Sequence, residues 1–167
     1  MKRILMLLPL VLMFSCSRNQ KIYVIGIGEK IHHDDFEYSV TNYLVSRFLR
    51  NGRDTIKADG AFYMVNFRID NLAKRISHEW DNSIAVIVDE KGREFVNLPD
   101  VQKFWEKARP FGLKEKYITP AGRSDSTVLA FDLPFDAVKP YLKVRGEILM
   151  GDVFDRAKFK RTFVKLY

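Results

Sequence analysis

Residues 61–71 (AFYMVNFRIDN) alternate between two kinds of side chain over most of their length. Successive side chains of an extended chain point to opposite sides, so this pattern predicts a β-strand with one buried face. Gly60 precedes the segment, and Asp70-Asn71 ends it with residues that suit turns. We name this segment the spine strand. Its predicted buried face carries Tyr63, Val65, Phe67 and Ile69, and its opposite face carries Met64, Asn66, Arg68 and Asp70.

The segments on either side of the spine strand are also strand-like. Residues 36–48 are predicted to form a long strand that is its antiparallel neighbour. A loop over 50–60 joins the two, with turn chemistry at Asn51-Gly52 and Asp59-Gly60. Residues 72–82 carry few strand signals and are predicted to cross between sheets. Further strands are predicted at 22–31, 83–89, 93–96, 126–132, 141–148 and 158–166.

One short helix is predicted within this series of strands. Residues 101–109 place apolar side chains at the i, i+3, i+4 and i+7 spacing of an amphipathic helix. Asp100 is predicted to cap its N-terminus and Pro110 to end it. We expect the helix to pack over an end of the core. Its apolar positions are Val101, Phe104, Trp105 and Ala108.

Composition agrees with a single strand-rich domain. Aromatic residues make up 13% of the chain, with 13 Phe and 7 Tyr, and apolar residues make up 47%. About eight strands, with turn signals at the spacing typical of such folds, predict an all-β sandwich over residues 22–167. A calycin-like barrel that holds a lipid or small apolar ligand is the alternative, because alternation does not distinguish open from closed sheets.

Residues 1–15 have the character of a secretory leader. Lys2 and Arg3 precede an apolar run over 4–14, and Ser15 supplies a small residue before the predicted cleavage point. The run is too short to cross a bilayer, which needs roughly 20 apolar residues. Residues 1–15 are therefore predicted to be a signal peptide that is removed.

Cys16, the only cysteine of the chain, follows that leader directly. Residues 13–16 (MFSC) resemble a bacterial lipobox, with Met13 where Leu is usual and Phe14 where a small residue is usual. The resemblance implies cleavage before Cys16, which becomes acylated and anchors the protein stably in a membrane. Lipidation also accounts for a single thiol in an oxidising compartment, whereas an ordinary leader leaves it incidental. Residues 16–21 then form a short tether.

The residues after Cys16 and the net charge bear on location. Residues 17–21 (SRNQK) contain no acidic residue. By resemblance to bacterial sorting patterns, this favours the periplasmic face of the outer membrane of a Gram-negative bacterium. A membrane lipoprotein of a Gram-positive bacterium is the alternative.

Removal of Lys2 and Arg3 takes the net charge from 28 − 21 = +7 to 26 − 21 = +5, so an anionic lipid surface would attract the domain. The basic residues are spread along the chain, and no nucleic-acid partner is predicted.

The body of the chain resembles the DUF4352 or telokin-like domain of secreted bacterial proteins. The likeness covers roughly residues 26–144. It rests on a strand that ends in Asn, an Asp-x-x-Gly turn, a Pro-Gly type loop and a Phe-x-x-Pro break. The resemblance implies an immunoglobulin-like antiparallel β-sandwich and supplies no catalytic residue, while the helix and the stretch after residue 144 depart from the pattern. The matching positions are Asn71, Asp89 with Gly92, Pro120 with Gly122, and Phe131 with Pro134.

Candidate chemistry is confined to the three histidines. His32 and His33 precede two aspartates, but adjacent side chains of a strand point to opposite faces, which is poor geometry for one metal ion. His78 lies near Glu79 and Asp81 in the predicted crossover. No G-x-S-x-G motif occurs. We predict no catalytic residue, metal or cofactor. A metal-dependent hydrolase built on these histidines is the minor alternative.

The function predicted from the sequence is therefore that of a non-enzymatic envelope lipoprotein. Its sandwich would bind an envelope protein partner or support an assembly through loops or a sheet edge. Three aromatic residues lie beside basic residues: Phe104, Trp105 and Phe111. They form either a partner-facing ridge or part of the core, and the helical spacing favours the core. Trp80 is predicted to pack under the crossover.

Overall fold

The computed structural model describes residues 22–108, 112, 114–145 and 158–167. Predictions for other residues, including the signal peptide, Cys16, the tether and the end of the strand at 141–148, lie outside this range. Within it the chain forms eleven strands and one helix. The elements are β1 (Tyr23–Ile25), β2 (Lys30–His33), β3 (Phe36–Asn51), β4 (Asp54–Asn71), β5 (His78–Asp81), β6 (Ala85–Val88), β7 (Glu94–Phe95), α1 (Pro99–Ala108), β8 (Lys116–Thr119), β9 (Ser124–Leu133), β10 (Tyr141–Val144) and β11 (Thr162–Lys165).

The described strands form two facing sheets and a small third one. One sheet has the order β1-β11-β10-β6-β7, the second has the order β2-β3-β4-β9, and β5 pairs with β8. Only β1 and β11 pair in parallel among these strands. Side chains from both larger sheets fill one core. This confirms the predicted all-β sandwich with one short helix, and the open sheets exclude the barrel alternative.

The spine strand is confirmed as part of β4, the longest of these strands. Val65, Phe67 and Ile69 are almost completely buried between the sheets, and Tyr63 packs beside them. We call this side of the sheet the inner face. The outer face is only partly polar, because Phe62 and Met64 are also buried there.

The loop predicted over 50–60 is wrong. The antiparallel pairing of β3 and β4 is confirmed, but it continues to Asn51 and Asp54, so that only Gly52 and Arg53 form the turn. Gly52 has a φ of 60°, as at the first loop position of a type II′ hairpin. The strands extend this far because Leu49 and other outer-face side chains are buried beneath α1.

A β-bulge accounts for a second difference. Regular alternation would put Leu44 on the same face as the buried Phe36, Tyr38 and Val40, but Leu44 is 45% exposed. The register shifts between Val40 and Asn42, which reverses the alternation along β3. Leu44 consequently pairs with Met64 on the outer face.

Gly60 lies within β4, not in the turn predicted at Asp59-Gly60. A Cβ placed there would lie 2.1 Å from the backbone oxygen of Leu133, where β9 ends. The Asp132 carboxylate accepts hydrogen bonds from the Asp59 and Gly60 amides at 2.8 and 3.3 Å. Glycine therefore permits a close approach of two backbones here.

The helix begins two residues earlier than predicted and covers a different surface. Pro99 occupies its first position, and Asp100 lies in its first turn and does not precede the helix. Trp105 is buried on the outer face of the β2-β3-β4-β9 sheet with Met64 and Val128. The helix therefore packs on that face and not over an end of the core between the sheets.

Two further segments contain more elements than the sequence predicted. Residues 22–31 form β1 and β2, which belong to different sheets, and Gly28 adopts a φ of 84° between them. Residues 72–82 do cross between sheets but include β5, in which Trp80 stacks on Tyr117 with ring centroids 4.0 Å apart. The predicted packing of Trp80 beneath the crossover is confirmed.

Strand directions give the sandwich two distinct ends. Loops 34–35, 72–77 and 120–123 meet at one end, where Leu72 N donates to Asp35 O at 2.7 Å and Asn71 N donates to Arg123 O at 2.9 Å. Residues 158–161 join them, since the Phe159 ring stacks on His33. β1 also begins there, because Tyr23 N donates to Arg161 O at 2.8 Å. We call this the tether end, and the end with the β3–β4 turn the tip.

Substitution of Gly60 tests the backbone approach. Gly60→Ala is expected to lower the free energy of unfolding by about 1–3 kcal/mol, because the clash is with backbone that has no rotamer to change. Gly26→Ala is the matched control, since a Cβ at Gly26 meets only the flexible Glu29 carboxyl group, at 3.5 and 4.0 Å. Urea unfolding measures both. Equal stabilities of the two variants would contradict the assignment.

Candidate functional site

Two of the three histidines that the sequence offers as candidate site residues come together at the tether end, inside an aromatic cluster. The His33 ring stacks on Phe159 with centroids 4.3 Å apart, and the His78 ring stacks on Phe36 at 4.1 Å. The Tyr38 hydroxyl lies 3.1 Å from His78 Nε2. Both histidines are buried. His32 points to the opposite face of β2 and is exposed, as the sequence predicted for adjacent histidines.

Burial dominates the protonation chemistry of this cluster. It lowers the pKa of His78, and the neighbouring His33 lowers it further. Burial also raises the pKa of the Tyr38 hydroxyl, with a smaller effect from the Asp34 carboxylate. A neutral imidazole and a neutral phenol can share one hydrogen bond, so this pair has the chemistry of a packed polar contact.

The arrangement that would favour a hydrolase is a cleft in which histidines and carboxylates converge. Within the described ranges, no group of three or more His, Cys, Asp and Glu side chains is placed to hold a metal ion. His33 and His78 face aromatic rings in the core, and the Asp34 carboxylate lies 3.9 Å from His33 Nε2.

A groove of about 700 Å³ lies beside α1, near the start of β6. Its wall includes Asn97 and the buried Gln102. Asn97 Nδ2 donates to Gln102 Oε1 at 2.8 Å, and Gln102 Nε2 donates to Thr127 Oγ1 at 3.4 Å. Thr127 also shares a hydrogen bond with the Tyr117 hydroxyl at 2.9 Å. These polar atoms satisfy one another, so the network joins the helix to the sandwich and presents no arranged reactive group.

The aromatic residues of α1 pack in the hydrophobic core on the outer face of the sheet. Trp105 is buried and Phe104 is partly buried against the outer-face core. The core-packing interpretation is therefore confirmed for both residues. Phe111, the third member of the predicted ridge, lies outside the described residues.

An exposed apolar surface occurs instead near the tip. Val45 and Phe48 on β3 are 44% and 50% exposed, and Phe135, just after β9, is 69% exposed. The Arg47 guanidinium lies 5.0 Å from the centre of the Phe135 ring, which links the hairpin to the end of β9. We name Val45, Arg47, Phe48 and Phe135 the tip surface. It exists because the hairpin continues past the short strands of the facing sheet, while α1 covers its other face.

Both ends of the sandwich carry charged side chains, and Arg53 and Lys57 of the tip hairpin form no ion pair with a described carboxylate. At the tip, the Lys91, Arg93, Asp89 and Asp136 side chains pair with one another at 2.7–3.0 Å. The loops of the tether end carry six cationic and two anionic side chains, a net charge of +4. None of the six forms an ion pair with a described carboxylate. They are Lys74, Arg75, Arg123, Lys158, Lys160 and Arg161.

Sequence reasoning missed both surfaces. The tip surface needs the hairpin register, because Phe48 was placed at the end of a strand that in fact continues. The cations of the tether end lie in three loops that are far apart along the chain. A scan for dense basic clusters does not find them, whereas the exposed Lys74-Arg75 pair between Leu72 and Ile76 was a local signal that could have been used.

Comparison with solved structures finds the same β-sandwich fold elsewhere. The yjhA protein of Bacillus subtilis matches with a TM-score of 0.59 at 14% identity, over 85% of this chain and 98% of that one. MPT63, a secreted protein from Mycobacterium tuberculosis, matches with a TM-score of 0.55 at 13% identity, over 87% and 98%. An uncharacterised β-sandwich protein from Clostridium difficile 630 matches with a TM-score of 0.51 at 13% identity, over 89% and 96%.

These identities establish a shared fold and nothing about activity. No family model matches the chain, and no curated protein matches it. No helix among the described residues is long and apolar enough to cross a membrane. The class of protein is therefore an all-β sandwich of the kind found in secreted and uncharacterised bacterial proteins.

The buried His78 predicts a pH dependence of stability. Its pKa is lowered from 6.5 in the folded state, so the unfolded chain binds more protons below that pH. The free energy of unfolding should therefore fall as the pH drops from about 6.5 toward the folded-state pKa. His78→Gln keeps an acceptor for the Tyr38 hydroxyl and should flatten this part of the stability curve.

Urea unfolding at several pH values between about 7.5 and 5 measures the effect. His32→Gln is the matched control because His32 is exposed, and its curve should keep the wild-type slope. An unchanged slope in the His78 variant would show that this side chain does not contribute.

Proposed function

We propose that this protein is a lipid-anchored lipoprotein of the bacterial envelope whose β-sandwich binds another envelope protein without catalysing a reaction. The leader over residues 1–15 and the single Cys16 support the anchor. We also propose the kinship with DUF4352 or telokin-like domains and location at the periplasmic face of an outer membrane. The β-sandwich neighbours are compatible with that kinship through fold alone.

The observation that carries this proposal is the separation of the start of β1 from the tip surface. Ile22 and β1 begin at the tether end, beside Arg161. The β3–β4 hairpin spans the sandwich to the opposite end, where Phe48 and Phe135 are exposed. A protein held by an acylated Cys16 would then present its exposed aromatic residues away from the membrane.

The tip surface has the composition of a protein-binding surface. Aromatic and arginine side chains are enriched among the residues that dominate binding energy, and Arg47 already lies over Phe135. Exposed apolar side chains grouped in one region mark interaction sites more often than isolated ones do. An envelope protein with an apolar, weakly acidic surface fits this chemistry.

Substitution of Cys16 tests the anchor. Cys16→Ser should abolish acylation, since the serine side chain has no thiol for the thioether-linked lipid. Mass spectrometry of the mature wild-type chain should show acyl groups at residue 16. Recovery of unacylated wild-type protein, cleaved elsewhere in the leader, would exclude the anchor and leave a secreted sandwich.

Substitution of the tip tests partner binding. Crosslinking and affinity purification of the lipidated protein from native membranes should recover one stoichiometric envelope protein. Phe48→Ser with Phe135→Ser should lower that recovery by at least about tenfold while the protein stays in the membrane. Val24→Ser is the control, because Val24 is an apolar residue as exposed as Phe48 but lies on β1, away from the tip surface. Equal losses in both variants would show that the tip surface is not the site.

A further inference from the structure

We propose that the tether end lies directly on an anionic phospholipid surface, with Leu72 and Ile76 in the headgroup region and the surrounding cations on lipid phosphates. This inference rests on the proposed anchor at Cys16 and adds an orientation and a lipid class to it. Lysine and arginine side chains next to exposed apolar side chains form the usual chemistry of a membrane-surface contact.

The loop at 72–77 (LAKRIS) carries the apolar part of this contact. Leu72 and Ile76 are 53% and 59% exposed, although both are apolar, and Lys74 and Arg75 between them are exposed too. Asn71 Nδ2 donates to Ile76 O at 2.8 Å and its Oδ1 accepts from Ala73 N at 3.0 Å. Through these two hydrogen bonds the buried Asn71 fixes the loop at Ala73 and Ile76, while the Leu72 and Ile76 side chains are exposed.

The residues next to the start of β1 carry the cationic part. Lys158 and Lys160 are exposed, and Arg161 is directly hydrogen-bonded through its carbonyl to Tyr23. Phe159 anchors this segment in the core against His33. Each lysine or arginine held near an anionic surface raises surface affinity by about fivefold, so several together give a strong preference for anionic lipid.

The short tether favours the tether end as the part of the sandwich that contacts the membrane. Ile22 is six residue steps from Cys16, and a fully extended chain of that length reaches at most about 22 Å. An acylated Cys16 therefore keeps Ile22, which is 63% exposed, within one tether length of the bilayer. The loops beside Ile22 are then the part of the sandwich closest to the lipid.

Site-directed labelling of the lipidated protein tests the contact. Cys16 is the only cysteine, and its thiol is consumed by acylation, so Ile76→Cys or Arg53→Cys can be labelled singly with a nitroxide. On vesicles of phosphatidylethanolamine and phosphatidylglycerol, the label at residue 76 should be accessible to oxygen and protected from a water-soluble nickel complex. The label at residue 53 should show the reverse. On phosphatidylcholine vesicles, the protection at residue 76 should decrease.

Charge reversal provides the matched comparison. Lys74→Glu with Arg75→Glu should abolish the protection at residue 76 without releasing the protein from anionic vesicles. Arg53→Glu with Lys57→Glu, which makes the same change at exposed tip positions, should preserve it. An acylated, vesicle-bound protein whose residue 76 is as accessible to nickel as residue 53 would overturn the inference alone. Absence of acyl groups at Cys16 would overturn the proposed function as well.

Discussion

The structure depends on the burial of one strand from both sides. Val65, Phe67 and Ile69 of β4 pack against the facing sheet, while Phe62 and Met64 pack beneath α1. Burial of each large apolar side chain contributes about 1.5–3 kcal/mol, so these contacts set the position of β4 in the sandwich. Its eighteen residues also define the length of the molecule, since β3 and β9 align on it through long antiparallel registers.

That length creates a molecule with two unlike ends. At one end the hairpin extends past the short strands of the opposite sheet and leaves Val45 and Phe48 exposed. At the other end, loops from distant parts of the chain collect around Tyr23, and their cations lack described carboxylate partners. Near the tip, Lys91, Arg93 and Asp136 form ion pairs, whereas Arg53 and Lys57 of the hairpin form none with a described carboxylate. The function that we propose puts a membrane anchor at the end with the basic loops and a protein contact at the end with the exposed aromatic residues.

The sequence predicts the fold where one local pattern decides it. Alternation over residues 61–71 identified the inner face of β4, and helical spacing located α1 and the burial of Trp105. Prediction from the sequence failed where a contact between distant residues determines the structure. Asp59-Gly60 looks like a turn, but Gly60 lies in a strand and allows the backbone of Leu133 to approach closely. The bulge after Val40 puts Leu44 on the other face of β3. Neither surface proposed as functional could be assembled without the sheet topology, because each brings together segments that are distant in the sequence.

Neutron reflectometry of the lipidated protein on a supported anionic bilayer tests the central claim most directly. A strand of eighteen residues is roughly 50–60 Å long, whereas two stacked sheets and a helix are about 30 Å thick. A sandwich that rests on its tether end should give a protein layer of roughly 50–60 Å. A layer of about 30 Å would mean that the sandwich lies flat, and would contradict an orientation in which the tip faces away from the membrane.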